Sequence, residues 1–448
     1  MAGEPQEQAD TIERVNMGTV LRHRGFRNLW LGQVVSQVGD YFAFLALMVV
    51  VSGFSSSAAT TTQDVAGLMI AITVPRLVFG VIAGVFVDRW DRRWTMIGAD
   101  VVRAVLAVAL IPAFLTHALW LVYVLAFCLS TCGTLFNPAK GAVIPQLVPP
   151  AHLTAANSLS ATTQMLATLI GPALAGGAFA LAGRGNEWIA FVIDAVSFGI
   201  SAAAVATLRL PPREARVIAE PGAHPLQDIG RELVVGLRAL VLSRAMITLS
   251  AAMAITMLGI GALNVLWVVF LKTNFGFQSS ELAWRLSIID VVFSGGMVLA
   301  AVLVGNFLAQ VAPKWLVVGG LVGGGLFTLP LGFLPDYWLV VPCMALVGLF
   351  VGPISPGVST LMQIVVPNEQ LGRVGGAFGT VVDTATLISM SAAGVLGGLL
   401  GIPVVFFLSG VLCAAGGVLA WAWLPPVTMA THGPASVAAA PADRALAV

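Results

Sequence analysis

The chain has 448 residues, of which 58% are hydrophobic and only 10% are charged, and its formal net charge is +1. Soluble proteins carry about 25% charged residues, so this chain has too little polar surface to form a water-exposed globule. A net charge so close to zero gives no field that would attract nucleic acid. The composition therefore predicts an integral membrane protein without a nucleic-acid partner.

Twelve apolar runs are long enough to cross a bilayer, which takes about 20 helical residues. Several of them contain Gly or Pro, which membrane helices tolerate. The sequence therefore predicts an all-α integral membrane fold of twelve transmembrane helices. The predicted spans, numbered 1 to 12 in chain order, are 28–51, 65–87, 95–115, 118–136, 156–181, 188–207, 246–271, 286–308, 315–334, 337–360, 375–400 and 402–424.

The distribution of Lys and Arg predicts the orientation in the membrane. With the N-terminus inside, 17 of these residues fall on the cytoplasmic side and 3 on the external side. The first twenty residues are polar, and the first apolar run is too long for a cleavable signal. We therefore expect a multi-pass protein of the cell (inner or plasma) membrane, with both termini in the cytoplasm.

A long polar connection divides the chain into two sets of six spans. It begins with PPREARVIAEPGAHP and becomes amphipathic in LQDIGRELVVGLRALVLSRA, which predicts a helix lying on the membrane surface. The tail is rich in Ala and Pro and is expected to be disordered. The predicted segments are a cytoplasmic N-terminal segment (1–27), an N-terminal six-helix bundle (28–207), a cytoplasmic linker (208–245), a C-terminal six-helix bundle (246–424) and a cytoplasmic tail (425–448).

The two sets of spans carry traces of a duplication. GVFVDRWDRRWT, which begins at Gly84, aligns with GNFLAQVAPKWL, which begins at Gly305. Three further residues from the end of span 4 onwards match three from the end of span 10 onwards, at nearly the same offset. The sequence thus predicts two pseudo-symmetric six-helix bundles, an architecture in which transporters bind their substrate between the repeats near the middle of the membrane. The three further matches pair Pro138, Pro149 and Leu153 with Pro356, Pro367 and Leu371.

The charged loop between spans 2 and 3, DRWDRR, resembles the signature loop of the major facilitator superfamily. Asp91 stands where Gly is usual, and Trp94 where a third basic residue is usual. By this resemblance Asp88 contacts the positive N-terminus of span 11 near Val374, which would latch the two bundles together in one state. For the arginines, a latch and a purely topological role both remain open. The matching residues of this loop are Gly84, Asp88, Arg89, Arg92 and Arg93.

Other stretches are similar to the branch that contains the enterobactin exporter and the macrolide efflux proteins. They are FRNLWLGQVVSQVGD, VPRLVFGVIAGVFVDRWDRRW, IPQLVPPAHLTAANSL and FVIDAVSFGISA. In span 5, Gly171, Pro172 and Gly176 resemble the exporter motif Gly-Pro-x-x-Gly-Gly. The resemblance implies the major facilitator fold and export of a hydrophobic or amphiphilic small molecule, such as a drug or siderophore, by alternating access.

Asp40 lies about 20 Å into span 1, past the middle of the membrane. Together with Gln33 and Gln37 it forms one polar stripe at helical spacing. Because charges inside spans are costly, they are usually functional. Asp40 is therefore a candidate site for a proton or a cation, and the alternative is a structural partner for Arg76 or Arg103.

The remaining intramembrane charges are weaker candidates. Asp383 is a second candidate proton or cation site. Asp100 and Arg103 are three residues apart on span 3 and can pair, so we interpret them, with Arg76, as structural. Asp194 and Asp290 lie nearer the external ends of their spans, where solvation is a sufficient explanation.

Polar residues on spans 1, 5 and 7 could line a mostly apolar pocket. Each one alone could equally form a hydrogen bond between helices. The candidate lining residues are Gln33, Gln37, Asn157, Gln164, Asn264 and Trp267.

The sequence shows no catalytic constellation and no metal-ligand cluster, and its lysines lack the context of an ATP-binding loop. It therefore predicts a secondary transporter rather than an enzyme, with no cofactor or metal. We expect this transporter to act as a monomer and in antiport with protons. Span 4 lacks a charge in LVYVLAFCLSTCGTLF, so the route of proton coupling stays open. The alternatives are an uptake or facilitative carrier and a non-transporting receptor or assembly partner.

Overall fold

A computed structural model describes residues 17–55, 57–183, 185–210, 225–307, 311–367 and 370–425. Within these ranges, the side chains of 80–89, 225–229, 231–233 and of positions 17, 151, 154, 279 and 305 are not described.

Twelve helices in the described part of the chain are long and apolar enough to cross a membrane, which confirms the predicted all-α fold of twelve spans. The rest of the described chain forms shorter helices, turns and loops, with no strand among these residues. The spans are Arg24–Phe54, Ala58–Arg89, Arg92–Leu115, Leu119–Leu147, Leu153–Ala182, Trp188–Ala206, Arg244–Asn274, Ser279–Phe307, Pro313–Thr328, Tyr337–Val351 with Ile354–Val365, Leu371–Leu400 and Ile402–Trp423.

Spans 4 and 10 differ most from their predicted form. Span 4 was predicted to end at 136, but its helix continues through Pro138 and Pro145 to Leu147. Span 10 was predicted as one helix, but it breaks after Val351, because Pro353 has no N–H to continue the hydrogen-bond ladder. The extension of span 4 brings polar residues inside the membrane that the sequence had placed in a loop.

The two halves, spans 1–6 and spans 7–12, pack their helices in the same way. In the first half span 1 packs on span 6, span 2 on span 4, and span 3 on span 6. The equivalent pairs in the second half, 7 with 12, 8 with 10 and 9 with 12, also pack together. This equivalence is the packing that a duplicated six-span unit would produce.

The linker contains the helix Pro225–Leu242, which packs on the start of span 11. A methyl group added at Gly236 would lie 2.4 Å from the main-chain oxygen of Arg373, so the contact needs a glycine. Val234, Val241 and Leu242 remain exposed on this helix. We call the membrane face that carries the linker helix the linker face, and the opposite one the far face.

The apolar core is continuous between the halves on one side of the membrane only. Towards the far face, one cluster includes buried residues from both halves, among them Leu47, Leu68, Val269 and Phe406. Towards the linker face, the second half has its own cluster around Leu249. The first half has a separate linker-face cluster of buried residues that includes Phe26 and Phe136. The halves are therefore joined at the far face and separate towards the linker face.

Close contacts between the halves also lie in the far-face part of the spans. Gly176 of span 5 lies against Ser287 of span 8, and the hydroxyl of Ser294 donates a hydrogen bond of 3.0 Å to the main-chain oxygen of Thr168. Gly394 of span 11 packs against span 2. Small residues allow membrane helices to approach closely, which is the usual basis of their association.

The outward surface of the spans carries large apolar side chains. Val105, Trp120 and Leu181 are 63%, 68% and 91% exposed, respectively. Such exposure would be unfavourable in water but suits a surface that contacts lipid.

Two adjacent glycines test the contact between the halves. A methyl group added at Gly176 would lie 2.4 Å from the Cβ of Ser287, whereas one added at Gly177 has no atom within 4 Å. We expect Gly176→Ala to destabilise the purified protein by about 1–3 kcal/mol, the usual cost of overpacking. The Gly177→Ala control should change stability by less than about 0.5 kcal/mol. Thermal unfolding in detergent measures both, and equal effects of the two variants would contradict the packing described above.

Candidate functional site

A cavity of about 520 Å³ opens on the inner wall of the first half. Its walls combine apolar side chains with an unusual number of polar and charged ones. All of the lining residues come from spans 1 to 6. The polar and charged residues in its lining include Gln33, Ser36, Gln37, Asp40, Tyr41, Arg76, Arg103, Ser130, Asn137, Lys140, Gln164 and Asp194.

Arg103 is the centre of a charged cluster between spans 1 and 3. Its Nη2 lies 2.7 Å from Oδ1 of Asp40, and its Nη1 lies 3.8 Å from Oδ1 of Asp100. The guanidinium also stacks on the ring of Phe198, 3.9 Å from the ring centroid. The Asp100 side chain is 0% exposed, whereas that of Asp40 is 41% exposed. Asp40 is therefore both the partner of Arg103 and the member of the cluster that the cavity can reach.

Asp194 lies behind the same wall and is 0% exposed. Solvation therefore does not explain this residue, and the interpretation of Asp194 from its place near a span end was wrong. Neither carboxylate oxygen has a hydrogen-bond partner among the described residues. A methyl group added at Gly39 would lie 3.0 Å from Oδ1 of Asp194 and would overlap Ser197. Gly39 thus lets span 1 approach this buried acid.

Lys140 is a cavity residue that the sequence analysis missed. The predicted end of span 4 at 136 puts it in a cytoplasmic loop, but the longer helix of span 4 places it in the cavity lining, one turn after Asn137. Its Nζ lies 3.4 Å from Oε1 of Gln33, whose amide donates to Ser201 at 3.2 Å. The signal that could have found Lys140 is its position as a lone charge in the apolar run that continues after Pro138.

Three further charges face the space between the halves. Arg76 of span 2 is exposed on the cavity and interacts electrostatically with Asp40 and with Asp383 of span 11. Asp383 and Asp290 are also exposed, and Asp290 of span 8 interacts electrostatically with Tyr41. The structure thus brings Asp40 and Arg76, two candidates from the sequence, to one cavity, with Asp383 close to it.

The predicted lining residues divide into two groups. Gln33, Gln37 and Gln164 line the cavity. The described part of the cavity lining does not include Asn157, Asn264 or Trp267. Asn157 and Asn264 are exposed, and the Trp267 ring packs edge-on against Phe406, 4.9 Å between centroids.

The charged loop organises the first half where the structure describes it. Asp91 caps span 3, accepting a 3.0 Å hydrogen bond from the main-chain N–H of Trp94. Arg92 donates to the main-chain oxygen of Ala142 at 3.1 Å, and Arg93 donates to that of Ala206. Both arginines therefore tie the start of span 3 to neighbouring spans. The side chains at positions 84, 88 and 89, which include the predicted latch residue Asp88, lie outside the described residues.

The Gly-Pro motif lies in an unbroken helix, since span 5 continues through Pro172. A methyl group added at Gly171 would overlap the ring of Tyr41 on span 1, with 2.3 Å to its Cδ2. Gly176 contacts span 8, as described above. The motif therefore supplies the two close approaches of span 5 towards spans 1 and 8.

A lysine closes the far face between the halves. Lys272, in the last turn of span 7, donates to the main-chain oxygens of Ser52 and, at 3.1 Å, of Ser55 at the end of span 1. The last carbonyls of a helix lack partners within the helix and carry partial negative charge. Lys272 therefore caps a helix of the opposite half, which stabilises the closed far face.

Two histidines that are far apart in the sequence meet at the linker face. The Nε2 of His23, before span 1, lies 3.0 Å from Nδ1 of His152, before span 5. Among the described residues, no group of three His, Cys, Asp or Glu side chains is placed to hold a metal ion. The histidine pair therefore acts as a contact between the starts of two spans.

Two equivalent six-helix halves around a polar chamber within the membrane define a secondary transporter fold. Comparison with known protein families leads to the same class of protein. The sequence matches the Major Facilitator Superfamily over residues 29–257 and 249–446, and the chain belongs to this family. It is a multi-pass membrane transporter, not an enzyme, and proteins of this family carry small-molecule substrates.

Similar proteins and solved structures match most of the chain. Macrolide efflux protein A of Streptococcus pyogenes is 28% identical over 394 residues, which cover 86% of this chain and 93% of that protein. The MFS-type transporter YfiS of Bacillus subtilis is 27% identical over 397 residues, covering 87% and 90%. The crystal structure of a bacterial homologue of the iron transporter ferroportin, in an inward-facing state, superposes with a TM-score of 0.66 at 18% identity. That superposition covers 90% of this chain and 98% of the other, and it shows a common fold.

Removing the charge of Arg103 tests the role of the cluster. Arg103→Gln leaves the carboxylates of Asp40 and Asp100 without their cation, and breaking a buried ion pair costs about 3–5 kcal/mol. Because Asp40 is partly exposed, we expect a loss of about 2–3 kcal/mol in thermal unfolding. The control Arg76→Gln removes an exposed arginine and should cost less than about 0.5 kcal/mol.

A second variant separates charge from packing at this position. Arg103→Gln combined with Asp40→Asn removes both charges of the closest pair, so it should recover part of the lost stability. No recovery would mean that the stacking of Arg103 on Phe198, rather than the ion pair, explains the loss.

Proposed function

We propose that the protein exports a hydrophobic or amphiphilic small molecule by alternating access, in antiport with protons. It acts in the cell (inner or plasma) membrane, as a monomer with both termini in the cytoplasm. The observation that carries the proposal is the difference between the two faces. The halves share one apolar core at the far face and keep separate cores at the linker face, as expected for a chamber that opens to one side at a time.

The contacts that close the far face identify what must break when the chamber opens there. They include the cap that Lys272 places on span 1 and the packing of Gly176 on span 8. Each is small, and a two-state equilibrium shifts with differences of a few kcal/mol. Binding or release of ligand and protons can therefore move the halves between two arrangements.

Two observations support export. The similar protein of Streptococcus pyogenes is named for macrolide efflux. The Gly-Pro motif that resembles that of exporters supplies close contacts of span 5 with spans 1 and 8, through Gly171 and Gly176. The contact of Gly176 joins the two halves at the closed far face, so the motif helps to seal the chamber on that side.

The charged cluster supports coupling to protons. Asp40 can be reached from the cavity and is held by Arg103, so a proton arriving at Asp40 would compete with the arginine. Asp194 lies behind the same wall without a hydrogen-bond partner, and an ionised carboxylate in that state is costly to bury. Proton uptake at Asp40 would neutralise the partner of Arg103 and so loosen the contact between spans 1 and 3. Asp383 is the second candidate site for the proton.

Transport by the purified protein in liposomes tests the proposal. With radiolabelled erythromycin as the probe, an acidic lumen should drive its accumulation inside, because protons leaving the lumen exchange for the macrolide. Protein-free liposomes correct for passive trapping of this weak base. Accumulation driven by an acidic exterior would indicate an uptake carrier, and equilibration without accumulation would indicate a facilitative one. No protein-dependent movement of any drug, siderophore or lipid in a panel would favour a non-transporting receptor.

In the same liposomes Asp40→Asn identifies the coupling acid. We expect this variant to lose accumulation driven by the pH gradient but to retain exchange of labelled for unlabelled drug, because Asn cannot carry the proton. Asp383→Asn is the matched comparison on the other half. Unchanged accumulation in Asp40→Asn, with loss in Asp383→Asn, would move the proton site to span 11.

The proposed latch at Asp88 has a matched control three residues away. We expect Asp88→Asn to slow transport at least tenfold with unchanged thermal unfolding, because the charge that favours one arrangement is lost. Asp91→Asn changes charge in the same loop, but Asn also caps helices well, so the cap of span 3 should persist and transport should stay near normal. Normal turnover in Asp88→Asn would remove the latch.

A further inference from the structure

The wall of the first half carries two cations without a close anion. Arg76 is exposed on the cavity and has no hydrogen bond or ion pair within 4 Å among the described residues. Lys140 has the oxygen of Gln33 at 3.4 Å as its close polar contact. The charge of Arg103, in contrast, is met by Asp40. Asp40 also acts on Arg76 and Lys140 through space, but it is in contact with neither, so two positive charges on this wall remain without a contacting anion among the described residues.

The facing wall, in the second half, carries two acids. Ser287 and Ser294 of span 8 both face span 5, and Asp290 lies three residues after the first and four before the second. This spacing puts Asp290 on the same helix face, directed towards the first half. Asp383 of span 11 lies seven residues before Met390, whose sulfur accepts a hydrogen bond of 3.9 Å from Thr73, three residues before Arg76 in span 2. This spacing puts Asp383 and Arg76 on the helix faces by which spans 11 and 2 approach each other. Neither acid has an ion pair within 4 Å in the described part of the chain.

The described cations of the second half are placed elsewhere. They lie within two turns of a helix end, away from the middle of the membrane: Arg244, Lys272, Arg285, Lys314 and Arg373. The described acids of the first half that approach the cavity are the paired Asp40 and the fully buried Asp100 and Asp194. The chamber is therefore polarised, with available positive charge on one half and available negative charge on the other.

We propose that the substrate is amphoteric: its anionic group binds Arg76 and Lys140, and its cationic group binds Asp290 and Asp383. The cavity side chains Phe44, Leu47, Ile72, Leu129 and Phe136 contact its apolar body. Charges within a membrane are costly unless they are paired or solvated. A ligand with both charges compensates both walls when the chamber closes, whereas a ligand with one charge leaves the opposite wall uncompensated. The inference rests on the transport function proposed above, because it states the chemistry of the molecule carried.

The same chemistry could reach the chamber from two sources. A small zwitterion such as a peptide would enter from water, and a zwitterionic phospholipid, with its phosphate and ammonium groups, would enter from the bilayer. Both carry an anion and a cation on an apolar body. The experiment therefore includes an arm in which phosphatidylethanolamine competes with a water-soluble probe.

Four dipeptides with one body and different charges provide the test. The zwitterion is Phe-Phe, the anion N-acetyl-Phe-Phe, the cation Phe-Phe amide, and the neutral compound N-acetyl-Phe-Phe amide. Calorimetry on the purified protein in a non-ionic detergent measures binding. We expect Phe-Phe to bind about 10- to 100-fold more tightly than the neutral compound, the gain typical of charge-assisted hydrogen bonds, and the two singly charged compounds to lie between.

Variants on the two walls should separate the two charges. Arg76→Gln should weaken binding of the zwitterion and the anion about tenfold and leave the cation unaffected. Asp290→Asn should weaken binding of the zwitterion and of the cation and leave binding of the anion unaffected. Arg76→Lys keeps the charge and should retain most of the affinity, and Arg238→Gln, an exposed arginine on the linker helix, is the control outside the chamber.

The proposal would be overturned if all four dipeptides bound with equal affinity, or if Phe-Phe did not bind up to millimolar concentration. It would also be overturned if Arg76→Gln lowered the affinity for all four dipeptides equally. Displacement of Phe-Phe by phosphatidylethanolamine in the wild type but not in Arg76→Gln would identify a lipid as the source. These measurements require no membrane potential, pH gradient or transport. Charge-selective binding without transport in liposomes would therefore refute the proposed function alone, and transport of macrolide without charge-selective binding would refute this inference alone.

Discussion

The cost of placing charge on a membrane-spanning helix governs this structure. Arg103 is compensated by Asp40 and by the ring of Phe198, and Lys272 by the last carbonyls of span 1. Arg285 lies among aromatic rings, 4.3 Å from that of Trp284, with Glu281 at 3.4 Å. Arg76, Asp290 and Asp383, which have no such partner among the described residues, are exposed to the chamber between the halves, where water or a ligand can compensate them.

The cost of placing charge within the membrane also links the architecture to the proposed alternating-access transport. Apolar packing holds the halves together at the far face, and polar and charged side chains line the space that opens towards the linker face. Membrane helices gain little from burying apolar surface away from lipid, so close contact between the halves depends on small residues such as Gly176 and Gly394. Interfaces of this kind can separate and re-form, as alternating access requires.

Proton coupling and substrate recognition would then use neighbouring groups on one wall. Asp40 lies between the arginine that holds it and a cavity that also exposes Arg76 and Lys140. A proton on Asp40 changes the balance of charge beside the site that would receive an anionic group. Occupation of one site therefore affects the other through Coulomb interactions over a short distance, without a separate mechanical linkage.

The sequence by itself determined the twelve spans, their division into two related halves and the family, because each depends on local hydropathy, chain order or a contiguous motif. It also singled out Asp40, Arg103 and the Gly-Pro motif, since a charge or a Gly-Pro pair in an apolar run is conspicuous. Only the tertiary structure decided that Asp40 pairs with Arg103 rather than Arg76, that Asp194 is buried, and that Lys140 belongs to the chamber. These outcomes depend on which helix faces meet and on how far a helix continues through its prolines. The local sequence determines neither of these features.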